Sequence, residues 1–128
     1  MHYKNLSRVT VIVVLMLITS IPVNGADFNF SGKWKQVENP DWVMTIKETA
    51  DGIYGLSNTN NVTNEKTHGI GFFYRPQNIL LYSFEYGGTG ERGCGFGTLK
   101  PIKNDQFRQE TYNPDGTKRH KRHFVRIR

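Results

Sequence analysis

The stretch that decides the fold is FNFSGKWK, residues 28–35. Its apolar and polar residues alternate, and this alternation is typical of a β-strand that buries one face. It also contains a glycine, one spacer and a tryptophan, at Gly32 and Trp34. The stretch therefore predicts that the folded part of the chain opens with a strand that presents a large aromatic side chain to the core.

The residues before this strand have the layout of an export signal. Residues 1–8 carry Lys4 and Arg8, residues 9–21 are mostly apolar, and residues 22–26 are polar or small. The apolar run is shorter than the roughly 20 residues that a membrane-spanning helix needs. We therefore predict a signal peptide over residues 1–25 and one domain over residues 26–128. This predicts a periplasmic or secreted protein with no transmembrane segment after cleavage.

The chain has one cysteine, Cys94, which cannot form a disulfide within the chain. It lies between two glycines in a strand-like run, so we expect its thiol to be buried. The lack of disulfides favours a bacterial exported protein over a secreted animal one.

Turn residues divide the rest of the chain into short segments with no helical periodicity. Asp51-Gly52 and the sequence from Asn113 to Gly116 are typical of tight turns. We predict eight strands, at residues 30–37, 42–48, 53–58, 67–74, 79–86, 92–99, 106–112 and 117–128. Since the connections are short, strands adjacent in sequence should pair antiparallel. Closing the sheet hides its edges, which predicts an all-β, eight-stranded antiparallel up-and-down β-barrel. A sandwich of two four-stranded sheets is the alternative.

Glycines recur at every second residue in two of these strands. Alternate residues of a strand share one face, so each strand has one face that is nearly free of side chains. Such a face permits tight coiling or the close approach of another group. The two glycine faces carry Gly69 and Gly71, and Gly93, Gly95 and Gly97, while the opposite faces carry His68, Ile70 and Phe72, and Cys94, Phe96 and Thr98.

The opening strand is similar to the Gly-x-Trp signature of the calycin superfamily, which includes the lipocalin-like and avidin-like barrels. SGKW followed by WVMTIKETADGIYG resembles the order of the first strands in the avidin family, over residues 28–55. This resemblance implies that Gly32 and Trp34 close one end of the barrel. It also implies that a basic residue of the last strand, Arg126 or Arg128, packs across the indole. The biotin-binding residues do not carry over, so we do not expect biotin binding.

Aromatic residues are the main candidates for a ligand site. A tyrosine that lines a cavity combines apolar area with a hydrogen-bonding tip, which suits a small-molecule pocket. We predict that Tyr54, His68, Phe72 and Tyr82, together with the loop at 59–66, form a mouth that binds a small apolar or amphipathic ligand. The alternative is that the tyrosines lie on the outside of the barrel. A hollow interior of at least about 300 Å³ is expected of such a pocket.

The last strand is strongly basic, and its first half predicts a second kind of function. Lys118, Arg119, Lys121 and Arg122 could attract an anionic surface or protein, as in an adhesin-like or inhibitor-like protein. A solvated edge that blocks strand pairing is the simpler interpretation. Nucleic acid is not an expected partner of an exported chain. The oligomeric state stays open.

Candidate catalytic groups are few. His120 and His123 are three residues apart, so in a strand they point to opposite faces and do not favour a shared metal site. An enzyme on this barrel would need a polar cluster such as His68 with Glu85 or Cys94. We predict no catalytic residue, no metal and no cofactor.

Overall fold

The computed structural model describes residues 27–87 and 92–128, so the predicted signal peptide lies outside the described residues. The described chain is all-β apart from one short 3-10 turn at Arg75–Gln77. Its strands are β1 (Gly32–Gln36), β2 (Trp42–Ala50), β3 (Ile53–Asn60), β4 (Lys66–Tyr74), β5 (Ile79–Gly87), β6 (Gly93–Lys103), β7 (Gln106–Tyr112) and β8 (Lys118–Arg126). None of the helical structure in these ranges is long and apolar enough to cross a membrane.

The eight strands pair in sequence order and form one closed antiparallel barrel. Closure is made by β1 and β8, where Trp34 pairs with Arg126 and Gln36 pairs with Phe124. The predicted up-and-down barrel is thereby confirmed, and the two-sheet sandwich is wrong. Strand β1 begins later than predicted because residues 28–31 leave the sheet and cross one end of the barrel.

Aromatic residues fill the end of the barrel that residues 28–31 cross. Phe30 and Trp34 are fully buried, and the Trp34 indole donates to the Phe30 carbonyl at 2.8 Å. Phe28 stacks on Trp34 with ring centres 5.8 Å apart, and Phe107 meets Trp34 edge-on at 4.6 Å. We call this end, which also holds the hairpin turns of β2–β3, β4–β5 and β6–β7, the closed end.

Gly32 and Arg126 fit together at the closed end. The φ of Gly32 is +131°, a conformation that L side chains rarely adopt. A Cβ at this position would stand 2.9 Å from Nη1 of Arg126. Of the two arginines considered from the sequence, Arg126 lies over the Trp34 ring, with its guanidinium carbon 4.1 Å from the ring centre. Arg128 instead binds Asp105 at the surface.

The glycine faces of β4 and β6 point into the barrel, where the aromatic side chains of β5 lie against them. A Cβ added to Gly97 would meet the Tyr82 ring at 2.7 Å, and one added to Gly95 would meet the Phe84 ring at the same distance. On the other side of β5, a Cβ added to Gly71 would stand 2.9 Å from the Cβ of Tyr82. The close approach that the glycine spacing predicts is therefore made by large rings within the same barrel.

Since the glycines face inward, the alternate residues of β4 and β6 face outward. Cys94 is exposed, so the prediction that its thiol is buried was wrong. The physical reason is that β5 fills the interior beside β6, which leaves room only for glycine on the inner face. Other exposed residues of this outer surface are Ile70, Phe72 and Phe96.

Candidate ligand site at the open end of the barrel

The end opposite the closed end contains a cavity of about 210 Å³. The loops between β1 and β2, β3 and β4, and β7 and β8 surround this end, which we call the open end. The volume lies below the roughly 300 Å³ expected from the sequence for a ligand pocket. The volume is limited because the aromatic residues that fill the closed end and the rings of β5 occupy much of the interior.

The cavity has two chemically different walls. Strands β2 and β5 contribute Trp42, Met44, Tyr82, Phe84 and Tyr86, which are apolar or aromatic. Strands β7 and β8 contribute polar residues alone, namely Gln109, Thr111, Arg119, His120 and Arg122. The side chains of β3 and β4 complete the lining with Leu56, Asn58 and Thr67. A molecule in this cavity would therefore contact an apolar surface on one side and hydrogen-bonding groups on the other.

Tyr82 and Gln109 form the central polar contact of the cavity. The Gln109 amide donates to the Tyr82 hydroxyl oxygen at 2.6 Å. Burial raises the pKa of Tyr82 well above its usual value, and the hydrogen bond from Gln109 and the nearby Arg122 charge offset this only in part. Tyr82 is therefore a neutral phenol over the physiological pH range. Its O–H group can donate, because the bond to Gln109 uses the oxygen as acceptor.

Three lining residues carry buried polar atoms that have no hydrogen-bond partner among the described residues. They are Oδ1 of Asn58, Oε1 of Gln109 and Oγ1 of Thr111. These side chains are only 8%, 4% and 5% exposed. If the Gln109 amide took the opposite orientation, its NH₂ group would be the unpaired end, so one polar end of Gln109 stays unpaired either way. Buried polar groups in proteins are normally satisfied, so the cluster needs an explanation.

Two arginines give the mouth of the cavity a positive field, and a histidine lies beside them. The Arg119 guanidinium lies over the Tyr86 ring, 4.3 Å from its centre. Arg122 is half-buried, and burial together with the Arg119 charge lowers its guanidinium pKa. Burial, Arg122 and Arg119 likewise lower the pKa of His120. Glu65 is the one carboxylate among the lining residues that the structure describes.

The structure does not bring the four predicted ligand-binding residues together. Tyr82 lines the cavity, whereas Tyr54 is buried near the closed end, with its ring centre 6.5 Å from that of Phe30. His68 and Phe72 are exposed on the outer surface of β4. They lie there because the inner face of β4 carries the glycines that contact β5.

The four basic residues predicted to form one binding surface also separate. Arg119 and Arg122 line the cavity, while Lys118 and Lys121 are exposed. Nζ of Lys118 lies 3.7 Å from Oε2 of Glu110. The basic half of β8 is therefore divided between the mouth of the barrel and its outer surface.

Sequence reasoning missed Asn58, Gln109 and Thr111. Strict alternation could have found the last two, because they share a face with Phe107 in β7, and Phe107 is fully buried. The same rule places Arg122 on the face of Phe124. The alternation along β7 and β8 therefore indicated that Gln109, Thr111 and Arg122 share an inner face with buried aromatic residues.

His68, Glu85 and Cys94 lie in one row across three neighbouring strands. His68 pairs with Glu85, and Glu85 pairs with Cys94. All three are exposed on the outside of the barrel. Within residues 27–87 and 92–128, no group of three or more His, Cys, Asp or Glu side chains is arranged to hold a metal ion.

The fold and the cavity define the class of protein as a small closed antiparallel β-barrel with one plugged end and one open end. Comparisons with protein-family models, curated proteins and solved structures found no match.

Proposed function

We propose that this protein is an exported, calycin-like barrel that binds a small amphipathic ligand in the cavity at its open end. The observation that carries the proposal is that unpaired polar atoms line the cavity together with aromatic side chains: they belong to Gln109 and Thr111 of β7 and to Asn58 of β3 on the other side of the barrel. Leaving a buried polar group unpaired costs about 1–3 kcal/mol. A core that served only for packing would gain stability from apolar residues there. A bound ligand with polar and apolar parts would satisfy both walls.

The cavity volume limits the ligand to a compact molecule. The cavity volume of about 210 Å³ is the volume that roughly seven water molecules occupy in liquid water, at about 30 Å³ each. Long-chain lipids are too large for this space. The closed end offers no second entrance, because Phe30, Trp34 and Phe107 are fully buried there.

Native mass spectrometry of the protein purified from its own source tests this proposal. We expect a population carrying a bound small molecule, which is released on denaturation. Thr67 lines the cavity, so Thr67→Trp should fill the mouth and abolish the bound population. Thr45 is exposed on β2, so Thr45→Trp is the matched control and should retain it. A wild-type protein that carries nothing, and that gains no mass when small amphipathic molecules are added, would overturn the proposal.

The alternative, binding of an anionic macromolecule through Lys118, Arg119, Lys121 and Arg122, has weaker support. Two of these residues line the cavity, and Lys118 lies beside an acidic residue. Charge reversal at Lys118 and Lys121 separates the alternatives, since it should leave small-molecule binding intact.

A further inference from the structure

The charge of the cavity lining points to the class of ligand. Arg122 is half-buried in the wall formed by β7 and β8, beside Gln109 in the register of the sheet. Among the described residues it has neither an ion pair nor a side-chain hydrogen bond, although Arg126, four residues further along the same strand, has both. Removing a charge from water is costly unless it is paired, so Arg122 lacks the counter-ion that its position calls for.

Among the residues that the structure describes, the charged groups around Arg122 do not supply that counter-ion. Arg119 and His120 are basic or neutral and face the same mouth. Glu65 lines the mouth but makes no ion pair with Arg122. Glu38 acts on Arg122 only through a weak electrostatic effect, and its carboxylate is bound to His123. The described lining thus has a surplus of positive charge at the mouth of the cavity.

The donors near Arg122 match the oxygens of a carboxylate. The Tyr82 hydroxyl has a proton free to donate, the Thr111 hydroxyl has no partner, and the guanidinium fork can bind two oxygens at once. The opposite wall, with Trp42, Met44 and Phe84, suits a short hydrocarbon or an aromatic ring. At about 210 Å³, the cavity has no room for a large head group together with an apolar part.

We propose that the ligand is a small organic monocarboxylate, whose carboxylate binds Arg122, Tyr82 and Thr111 and whose apolar part contacts Trp42, Met44 and Phe84. This inference rests on the proposed function, because it names the ligand class of the same cavity. It adds that the ligand must be an anion.

Isothermal titration calorimetry with two pairs of probes tests the inference: hexanoate with hexanamide, and benzoate with benzamide. Each amide keeps the shape of its acid and lacks the charge. We expect at least one acid to bind the wild type at least roughly tenfold more tightly than its amide, the factor expected for a charge-assisted hydrogen bond. Arg122→Gln should remove this preference, and Arg122→Lys should keep part of it.

Lys121→Gln is the matched control, because it removes the same charge from the adjacent residue on the outer surface. It should bind the acids as the wild type does. Equal binding of acid and amide by the wild type, or full retention of the preference in Arg122→Gln, would overturn the inference and leave the proposed function standing. Binding of none of the four probes would overturn the inference, and the absence of any bound molecule in native mass spectrometry would then overturn the proposed function as well.

Discussion

The Arg126 guanidinium lies over the Trp34 indole and also holds the segment that closes the barrel. Its carbon is 4.1 Å from the ring centre, and its two terminal nitrogens donate to the carbonyls of Ser31 at 2.7 Å and Asn29 at 2.6 Å. Its Nε donates to Asp105 at 2.9 Å. One side chain of the last strand therefore joins the first strand, the segment before it and the β6–β7 turn.

This relationship predicts that Arg126→Met destabilises the protein by about 2 kcal/mol or more, through loss of the cation–π contact and of hydrogen bonds to a charged donor. Urea denaturation followed by circular dichroism measures the change. Arg128→Met is the control, because the Arg128 side chain is 82% exposed, and it should change stability by about 0.5 kcal/mol or less. Equal effects of the two substitutions would contradict this account of the closed end.

The contact between Gly97 and Tyr82 gives a second prediction. A Cβ on Gly97 would stand 2.7 Å from the Tyr82 ring, so Gly97→Ala must displace a ring that is packed on both sides. We expect a loss of about 1–3 kcal/mol, as for other overpacked cores. Gly55→Ala is the matched control, since its nearest contact would be 3.8 Å away, and it should be neutral or slightly stabilising. Thermal unfolding of both variants checks the prediction, which fails if Gly97→Ala is as stable as the wild type.

Thr111 and Thr98 allow stability and binding to be separated. Each has a buried hydroxyl without a hydrogen-bond partner among the described residues, but only Thr111 lines the cavity. Replacing either with Val removes an unsatisfied polar group, so we expect a gain of about 1 kcal/mol in both variants without ligand. Thermal unfolding measures this gain. Calorimetry with hexanoate should then show weaker binding for Thr111→Val alone. Loss of binding in Thr98→Val, or none in Thr111→Val, would count against the assigned carboxylate contacts.

The pair formed by Glu38 and His123 predicts a pH dependence of stability. Burial opposes ionisation of Glu38, but the backbone and ring hydrogen bonds from His123, at 2.9 Å and 2.7 Å, outweigh it and lower the pKa of this carboxyl below its ordinary value of 4.5. The ionised form is therefore favoured in the folded state. Its stabilising contribution is fully present above about pH 4.5 and is lost as the pH falls through the lowered pKa.

Glu38→Gln isolates this contribution from those of the other carboxylates. The difference in unfolding free energy between the wild type and Glu38→Gln should be present just above that pH and shrink below it. Urea denaturation at a series of pH values gives the difference. A gap that widens on acidification would have the wrong sign for a carboxylate with a lowered pKa.

The fold could be predicted from the sequence because its signals are local. Turns such as Asp51-Gly52 separate short alternating segments, and short connections leave little choice but antiparallel pairing of neighbours. The alternation around Gly32 and Trp34 also indicates which face of the first strand is packed. These features depend on residues a few positions apart.

The site could be predicted only in part because it depends on which face of each strand points inward. For β4 and β6, the apolar Ile70, Phe72 and Phe96 favoured the wrong face, since their glycine faces make room for Tyr82, Phe84 and Tyr86 of the strand between them. That competition between neighbouring strands decides the placement of His68 and Cys94. In β7 and β8, where Phe107 and Phe124 mark the inner face, alternation does identify Gln109 and Arg122.

A two-dimensional ¹H–¹⁵N NMR titration tests the central claim, that the cavity at the open end binds a small amphipathic molecule, most directly. On addition of hexanoate, and separately of hexanamide, we predict saturating shifts of the Asn58 and Gln109 side-chain amides and of the Trp42 indole. The Trp34 indole at the closed end should stay unchanged. If a probe that binds in calorimetry leaves the signals of Asn58 and Gln109 unmoved, or if the shifts fall on the outer surface around His68, the claim is contradicted.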